Sequence, residues 1–183
     1  MPDAVRAAER ELTEKIRGAI RDIPDFPKPG IVFKDITPLL GDARLFRQTT
    51  AAMAEPFSND QITHVVAIES RGFLLGAPVA QHLGVGLVPI RKPGKLPAAK
   101  RRMEYALEYG VDALEIHADA CAADARVLIV DDVLATGGTA SAARRLVELI
   151  GATVVGCSFL IELTFLGGRE AMGGTRSSAL IAY

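Results

Sequence analysis

The residue types best suited to chemistry fall in one stretch, Val127-Leu128-Ile129-Val130-Asp131-Asp132-Val133-Leu134-Ala135-Thr136-Gly137-Gly138-Thr139. A wholly apolar run leads into two acids, then a turn of small residues, then a helical pattern. Glycine lets backbone N–H groups approach a ligand with no Cβ in the way. The positive end of the helix that follows adds about 0.3–1 kcal/mol for an anion. With the hydroxyls of Thr136 and Thr139, residues 135–139 are built to wrap a phosphate. Asp131 and Asp132 would repel that phosphate unless they accept hydrogen bonds from hydroxyls of the same ligand or share a divalent cation. A sugar phosphate meets the first condition. The plainer alternative, two acids capping a turn, needs only one of them.

Three further segments carry chemistry-bearing residues. Glu69-Ser70-Arg71-Gly72-Phe73 follows the β-branched run His64-Val65-Val66-Ala67-Ile68, and Arg71 is a bidentate anion donor at the start of a helical pattern. Residues 91–102, RKPGKLPAAKRR, hold six basic residues and no acid, with two prolines and a glycine. The composition reads as a mobile basic loop, with Arg91 and Lys92 at the end of the run Gly86-Leu87-Val88-Pro89-Ile90 placed to meet an anion, and Lys100, Arg101 and Arg102 read as solvated. Residues 26–33, FPKPGIVF, form a proline-stiffened apolar loop with free backbone polar groups, able to stack a planar base and read its edge. Neither GxxxxGK[ST] nor GxGxxG occurs, which takes most of the support from kinase, P-loop and dinucleotide readings.

These segments need elements to position them. Residues 3–23 carry Val5, Leu12, Ile16, Ala19, Ile20 and Ile23 at helical spacing, stopped by Pro24. Residues 24–41 hold four prolines and read as a rigid loop without regular structure. Asp42 caps a helix running to about Glu55. Strands are expected at 64–68, 86–90, 126–130 and 153–161, with helices from Arg71 toward Leu83 and from Gly138 to Ile150. That alternation predicts βαβ units and a parallel sheet. Residues 105–109 and 113–117 read as a hairpin. Nothing after Gly168 carries a motif.

At 183 residues the chain fits one domain, with 49% hydrophobic and 23% charged residues, an ordinary globular composition. Its formal net charge is −1, so no global field exists to hold nucleic acid through its phosphates. No apolar run reaches the ~18 residues of a membrane span, and the N-terminus has no signal-peptide core. Cys121 and Cys157 lie in no CxxC and read as core thiols of a cytoplasmic protein. His64, His82 and His117 are scattered with no nucleophile elbow, against a Ser or Cys hydrolase.

The thirteen residues from Val127 to Thr139 resemble the PRPP-binding signature of type I phosphoribosyltransferases. The resemblance spans residue 24 to about 165 and implies an α/β fold: a central, mostly parallel sheet flanked by helices, with an N-terminal hood (1–41) and a flexible lid (91–110) in a single domain. It implies that Asp131 and Asp132 hold the ribose hydroxyls while Ala135, Thr136, Gly137, Gly138 and Thr139 hold the 5′-phosphate. Residues 26–40 are similar to the base-binding signature of adenine phosphoribosyltransferases. This implies adenine between Phe33 and Val133, its edge read by the Val32 main chain, with Lys34 and Glu108 nearby. Glu69, Ser70, Arg71, Arg91 and Lys92 are implied as the pyrophosphate site, with a cis peptide at Glu69–Ser70. Arg71 and Lys92 would stabilise the leaving group, Glu108 would manage the adenine proton, and Tyr109 would belong to the lid. The implied reaction joins adenine to PRPP, giving AMP and pyrophosphate. Mg²⁺ would be held by PRPP and water rather than by the protein, and the family's usual state is a homodimer. A sister enzyme for another base, or a PRPP-sensing regulator, shares part of this signature. The regulator would need a DNA-reading segment ahead of Pro24, where one helix is expected.

Overall fold

The computed structural model describes residues 2–106 and 111–183. The chain divides into two compact units, residues 1–51 and 52–183.

The first unit begins with helix α1 (Pro2–Gly18). The expected helix to residue 23 stops at Gly18, a poor helix former. Instead Arg21–Pro24 forms strand β1, which pairs antiparallel with β2 (Val32–Asp35). The proline-rich stretch therefore does hold regular structure, because its prolines sit at the end of the ladder or outside it. Pro24 is the last residue of β1, and Pro27 and Pro29 lie in the connection, where no ladder N–H is needed. Arg21 Nη2 donates to Asp35 Oδ2 at 2.6 Å and Lys34 Nζ to Asp22 Oδ1 at 2.7 Å across the pair. Phe26 packs edge-on against Phe33, with ring centroids 5.2 Å apart. A short helix α2 (Thr37–Gly41) follows, and Asp42 Oδ1 accepts the N–H groups of Arg44 and Leu45 to start α3 (Ala43–Ala54).

The second unit is built on a parallel five-stranded sheet. Its strands are β3 (His64–Ile68), β4 (Gly86–Ile90), β7 (Arg126–Leu134), β8 (Thr153–Glu162) and β9 (Ser177–Ala182). They stand in the order β4-β3-β7-β8-β9. Helix α4 (Arg71–Leu83) links β3 to β4, and α5 (Gly138–Leu149) links β7 to β8. Val127 to Val130 are fully buried, as expected of a strand covered on both faces. A core of Val66, Ile68, Ile90, Val127, Ile129, Leu134, Leu146 and Phe159 fixes the sheet against its helices. Cys157 lies in that core, where burial pushes its thiol up to about 12, and Cys121 packs beside it.

Beyond the sheet, β5 (Lys100–Ala106) pairs antiparallel with β6 (Val111–His117). The expected hairpin is present but starts five residues earlier than residue 105. Lys100, Arg101 and Arg102, read as a mobile solvated loop, are strand residues. The cause is alternation: Met103 and Tyr105 pack against the core while Arg102 and Glu104 face solvent. The last elements are a 3₁₀ turn (Thr164–Leu166), helix α6 (Gly168–Ala171) and β9, so the motif-free end supplies a strand of the main sheet. Among the described residues no helix is long and apolar enough to cross a membrane.

Candidate active site

From β3 the chain leaves toward β4 on one side, and from the adjacent β7 it leaves toward β8 on the other. Their carboxyl ends therefore diverge and open a crevice, the place where parallel sheets bind ligands. A cavity of about 390 Å³ lies there, lined by Glu69, Ser70, Arg71, Lys92 and every residue from Asp131 to Ala140.

The acids do not follow strand β7, as expected from sequence, but lie within it. Asp131 pairs with Phe159 of β8 and Val133 with Ile161. The ladder fixes their backbone, and burial sets their chemistry. Asp132 is only 4% exposed. Burial, then the charge of Asp132, push the Asp131 carboxyl well above the usual carboxylate range. Burial also raises Asp132, opposed by the Arg71 guanidinium. Arg71 Nε lies 2.7 Å from Asp132 Oδ2, an ion pair in which this buried oxygen gains no directed hydrogen bond. A buried acceptor left this way at a cavity wall suits a hydroxyl donor.

Past Leu134 the chain turns through residues 135–137. Gly137 has φ +82, a left-handed backbone that favours glycine, and its carbonyl accepts the Ser141 N–H at 2.9 Å as α5 begins. The first turn of α5, Gly138 to Ala140, lines the cavity, and a helix N-terminus presents unpaired N–H groups there.

On the opposite wall the Glu69–Ser70 peptide is cis. The Glu69 carboxylate accepts Lys95 Nζ at 2.6 Å, the Lys92 N–H at 2.9 Å and Arg91 Nε at 3.3 Å. Burial would raise this carboxyl, but those three donors together bring it down to about 2. Glu115 of β6, 4% exposed, accepts the Gly94 N–H at 3.0 Å, while the Arg91 and Glu115 backbones bond each other. Two acids thus pin the basic segment. Lys92 alone of its cations lines the cavity. Its Nζ donates to Tyr105 Oη at 3.0 Å and pairs with Asp112. Burial opposes the charge on Lys92, but the bonds to Asp112 and Tyr105 outweigh it and raise the ammonium.

Comparison with known proteins agrees with this geometry. A family model described as a phosphoribosyl transferase domain matches residues 40–168. The adenine phosphoribosyltransferase of Myxococcus xanthus is 50% identical over 182 residues, covering 100% of this chain and 99% of the relative. The chain belongs to the adenine phosphoribosyltransferases. The crystal structure of the Thermoanaerobacter pseudethanolicus adenine phosphoribosyltransferase superposes with a TM-score of 0.91 at 53% identity, covering 93% of this chain and 99% of that one. The Saccharomyces cerevisiae enzyme, solved with adenine and an imino-altritol bisphosphate, gives 0.88 at 39%, covering 93% and 99%.

In this chain the cavity brings together Glu69, Ser70, Arg71, Lys92, Asp131, Asp132, Val133 and residues 135–139 of those expected from sequence. Arg91 does not line it, being tied to Glu69 and to the Lys95 carbonyl. Val32, Phe33 and Lys34 lie on β2 of the first unit, where Val32 is 49% exposed and Lys34 is paired with Asp22. Glu108 and Tyr109 fall outside the described residues. Sequence reading missed Asp112 and Tyr105, the partners of Lys92. The period-two spacing of Met103 and Tyr105 was hidden by the basic run before them.

Proposed function

We propose that this chain transfers the 5-phosphoribosyl group of PRPP to N9 of adenine, giving AMP and pyrophosphate. The observation that carries the reading is the joining, at one switch point, of a small-residue turn at a helix N-terminus with the two β7 carboxylates and two cations. The N–H groups of residues 135–139 and the Thr136 and Thr139 hydroxyls hold the 5′-phosphate. Asp131 and Asp132 accept the ribose hydroxyls and, as anions, favour positive charge developing at C1′. The C1′–O bond to pyrophosphate breaks as the C1′–N9 bond forms. Arg71 and Lys92 take the charge of the departing pyrophosphate, with the main chain of Glu69 and Ser70 beside them. Little covalent work falls to the protein, which supplies position, charge and exclusion of water.

The family resemblance assigns the adenine edge to the Val32 main chain, its ring faces to Phe33 and Val133, and the adenine proton to Glu108. Mg²⁺ fits the hard oxygen donors of Asp131 and Asp132. Among the described residues no group of three or more His, Cys, Asp or Glu could hold a metal by itself, so the ion would rest on PRPP oxygens and water beside the two acids. When bound, it neutralises pyrophosphate charge. A cytoplasmic homodimer completes the reading. The test is to mix protein, PRPP and Mg²⁺ with adenine, hypoxanthine, xanthine or uracil. AMP and pyrophosphate should form with adenine; turnover confined to another base, or none at all, would refute the assignment.

A further inference from the structure

The segment past Gly168, silent in the sequence, lies directly behind the phosphate cradle. Gly168 is buried, and a Cβ there would fall 2.2 Å from the Ala135 carbonyl oxygen and 3.0 Å from the Leu134 side chain. Reciprocally, a Cβ on Gly137 would fall 2.3 Å from the Gly168 carbonyl oxygen and 2.9 Å from Ala171 Cβ. Two stretches of main chain therefore touch with no side chain between them, over the residues whose turn sets the direction of the cradle N–H groups.

Arg169 fixes the rear stretch. Its Nε and Nη2 donate to Glu162 Oε1 at 2.7 Å and Oε2 at 2.5 Å, and its Nη1 to the Ser177 carbonyl at 3.0 Å. Glu162 is the ladder partner of Leu134, the last residue of β7 before the cradle. Met172, 1% exposed, packs in the core that also contains Leu134 and Ala140, one at each end of the cradle. A close-packed contact of this kind has no slack to absorb a displacement.

We propose that residues 167–172 are the rear wall of the phosphate cradle, with Gly168 and Arg169 positioning residues for the sugar 5′-phosphate. They act through the main chain of Ala135 and Gly137 and do not touch the ligand. The inference deepens the transferase reading and rests on it. A side chain at 168 must push the Ala135 carbonyl and swing the cradle N–H groups. Loosening Arg169 lets the same contact drift.

The test compares Gly168→Ala, Arg169→Gln and Arg169→Lys with the parent chain by thermal unfolding, KM for PRPP, KM for adenine and calorimetric affinity for ribose 5-phosphate. Gly168→Ala and Arg169→Gln should raise KM for PRPP about tenfold and weaken ribose 5-phosphate in step, with KM for adenine within about twofold. Arg169→Lys, which keeps the charge beside Glu162 but not the fork, should recover part of the loss. A role in folding alone would lower Tm without separating the two KM values. An unchanged KM for PRPP in a folded Gly168→Ala or Arg169→Gln overturns the proposal; if Gly168→Ala does not fold, Arg169→Gln decides. Should the parent chain itself bind no ribose 5-phosphate, the transferase reading fails first and the rear wall with it.

Discussion

The two walls of the cavity hold charge in opposite ways. At the end of β7 the groups are main-chain N–H donors and two carboxylates locked in the ladder; burial raises both acids, and the charge of Asp132 raises Asp131 further. Across from them the cations belong to side chains pinned by acids of other elements: Lys95 and Arg91 by Glu69, Lys92 by Asp112. The first wall is held by the ladder, so its groups keep their places. The second is a set of ion pairs whose cations are a third to a half exposed, so the cations can exchange partners. The contrast suits a reaction in which the sugar phosphate stays fixed while pyrophosphate arrives and departs.

The largest expected effect is at Glu108, which the family resemblance assigns to the adenine proton. Glu108→Leu should cut turnover about 10²–10⁴-fold while PRPP still binds, read by single-turnover kinetics alongside PRPP titration. Next comes the rigid wall. Replacing both acids, Asp131→Asn with Asp132→Asn, should weaken PRPP about a hundredfold through loss of charged hydrogen bonds. The same double variant should unfold at a Tm about 2–4 °C higher near neutral pH, because the buried repulsion is gone. A lower Tm would show that the acids are not strained. On the exchangeable wall, Asp112→Asn should leave KM for adenine unchanged and move the pyrophosphate inhibition constant by only about two- to fivefold.

The smallest effect is in pH dependence, and the walls should differ in sign. Raised carboxyls bind protons in the folded state that the unfolded chain has already lost. Asp131 and Asp132 therefore contribute a stability that falls as pH rises above about 4 through their folded values. Glu69, brought down to about 2, contributes a stability present above about 4.5 and lost as pH falls from there toward 2. Hydroxyl donors of the sugar favour the charged form of the β7 pair, so where the pair still holds protons binding should release them. Calorimetry in buffers of different ionisation enthalpy checks this, and Asp131→Asn with Asp132→Asn should abolish the release.

Where a segment's own pattern matched its environment, the sequence was readable. Val127 to Val130 are apolar because both faces of β7 are covered, and the turn at Gly137 needs the left-handed backbone that glycine supplies. The site residues on β7 and after β3 follow from those two facts. Other elements depend on long-range pairing. Arg21 to Pro24 becomes a strand through Asp35 and Lys34, not through its own periodicity. The strand at Lys100 exists because residues 111–117 pair with it and α5 receives Met103 and Tyr105, so a run of cations misreads as a loop. Gly168 gave no signal, since its role lies in a backbone approach to Ala135, 33 positions earlier in the chain.

The central claim is that residues 131–139 grip the phosphoribosyl group from both ends, and a calorimetric titration of PRPP with Mg²⁺ tests it most directly. The account predicts saturable heat with the parent chain, lost with Asp131→Asn and Asp132→Asn together and insensitive to Asp22→Asn, which changes only the β1–β2 pair. Equal heat from the parent chain and the double variant, or none from either, would contradict it.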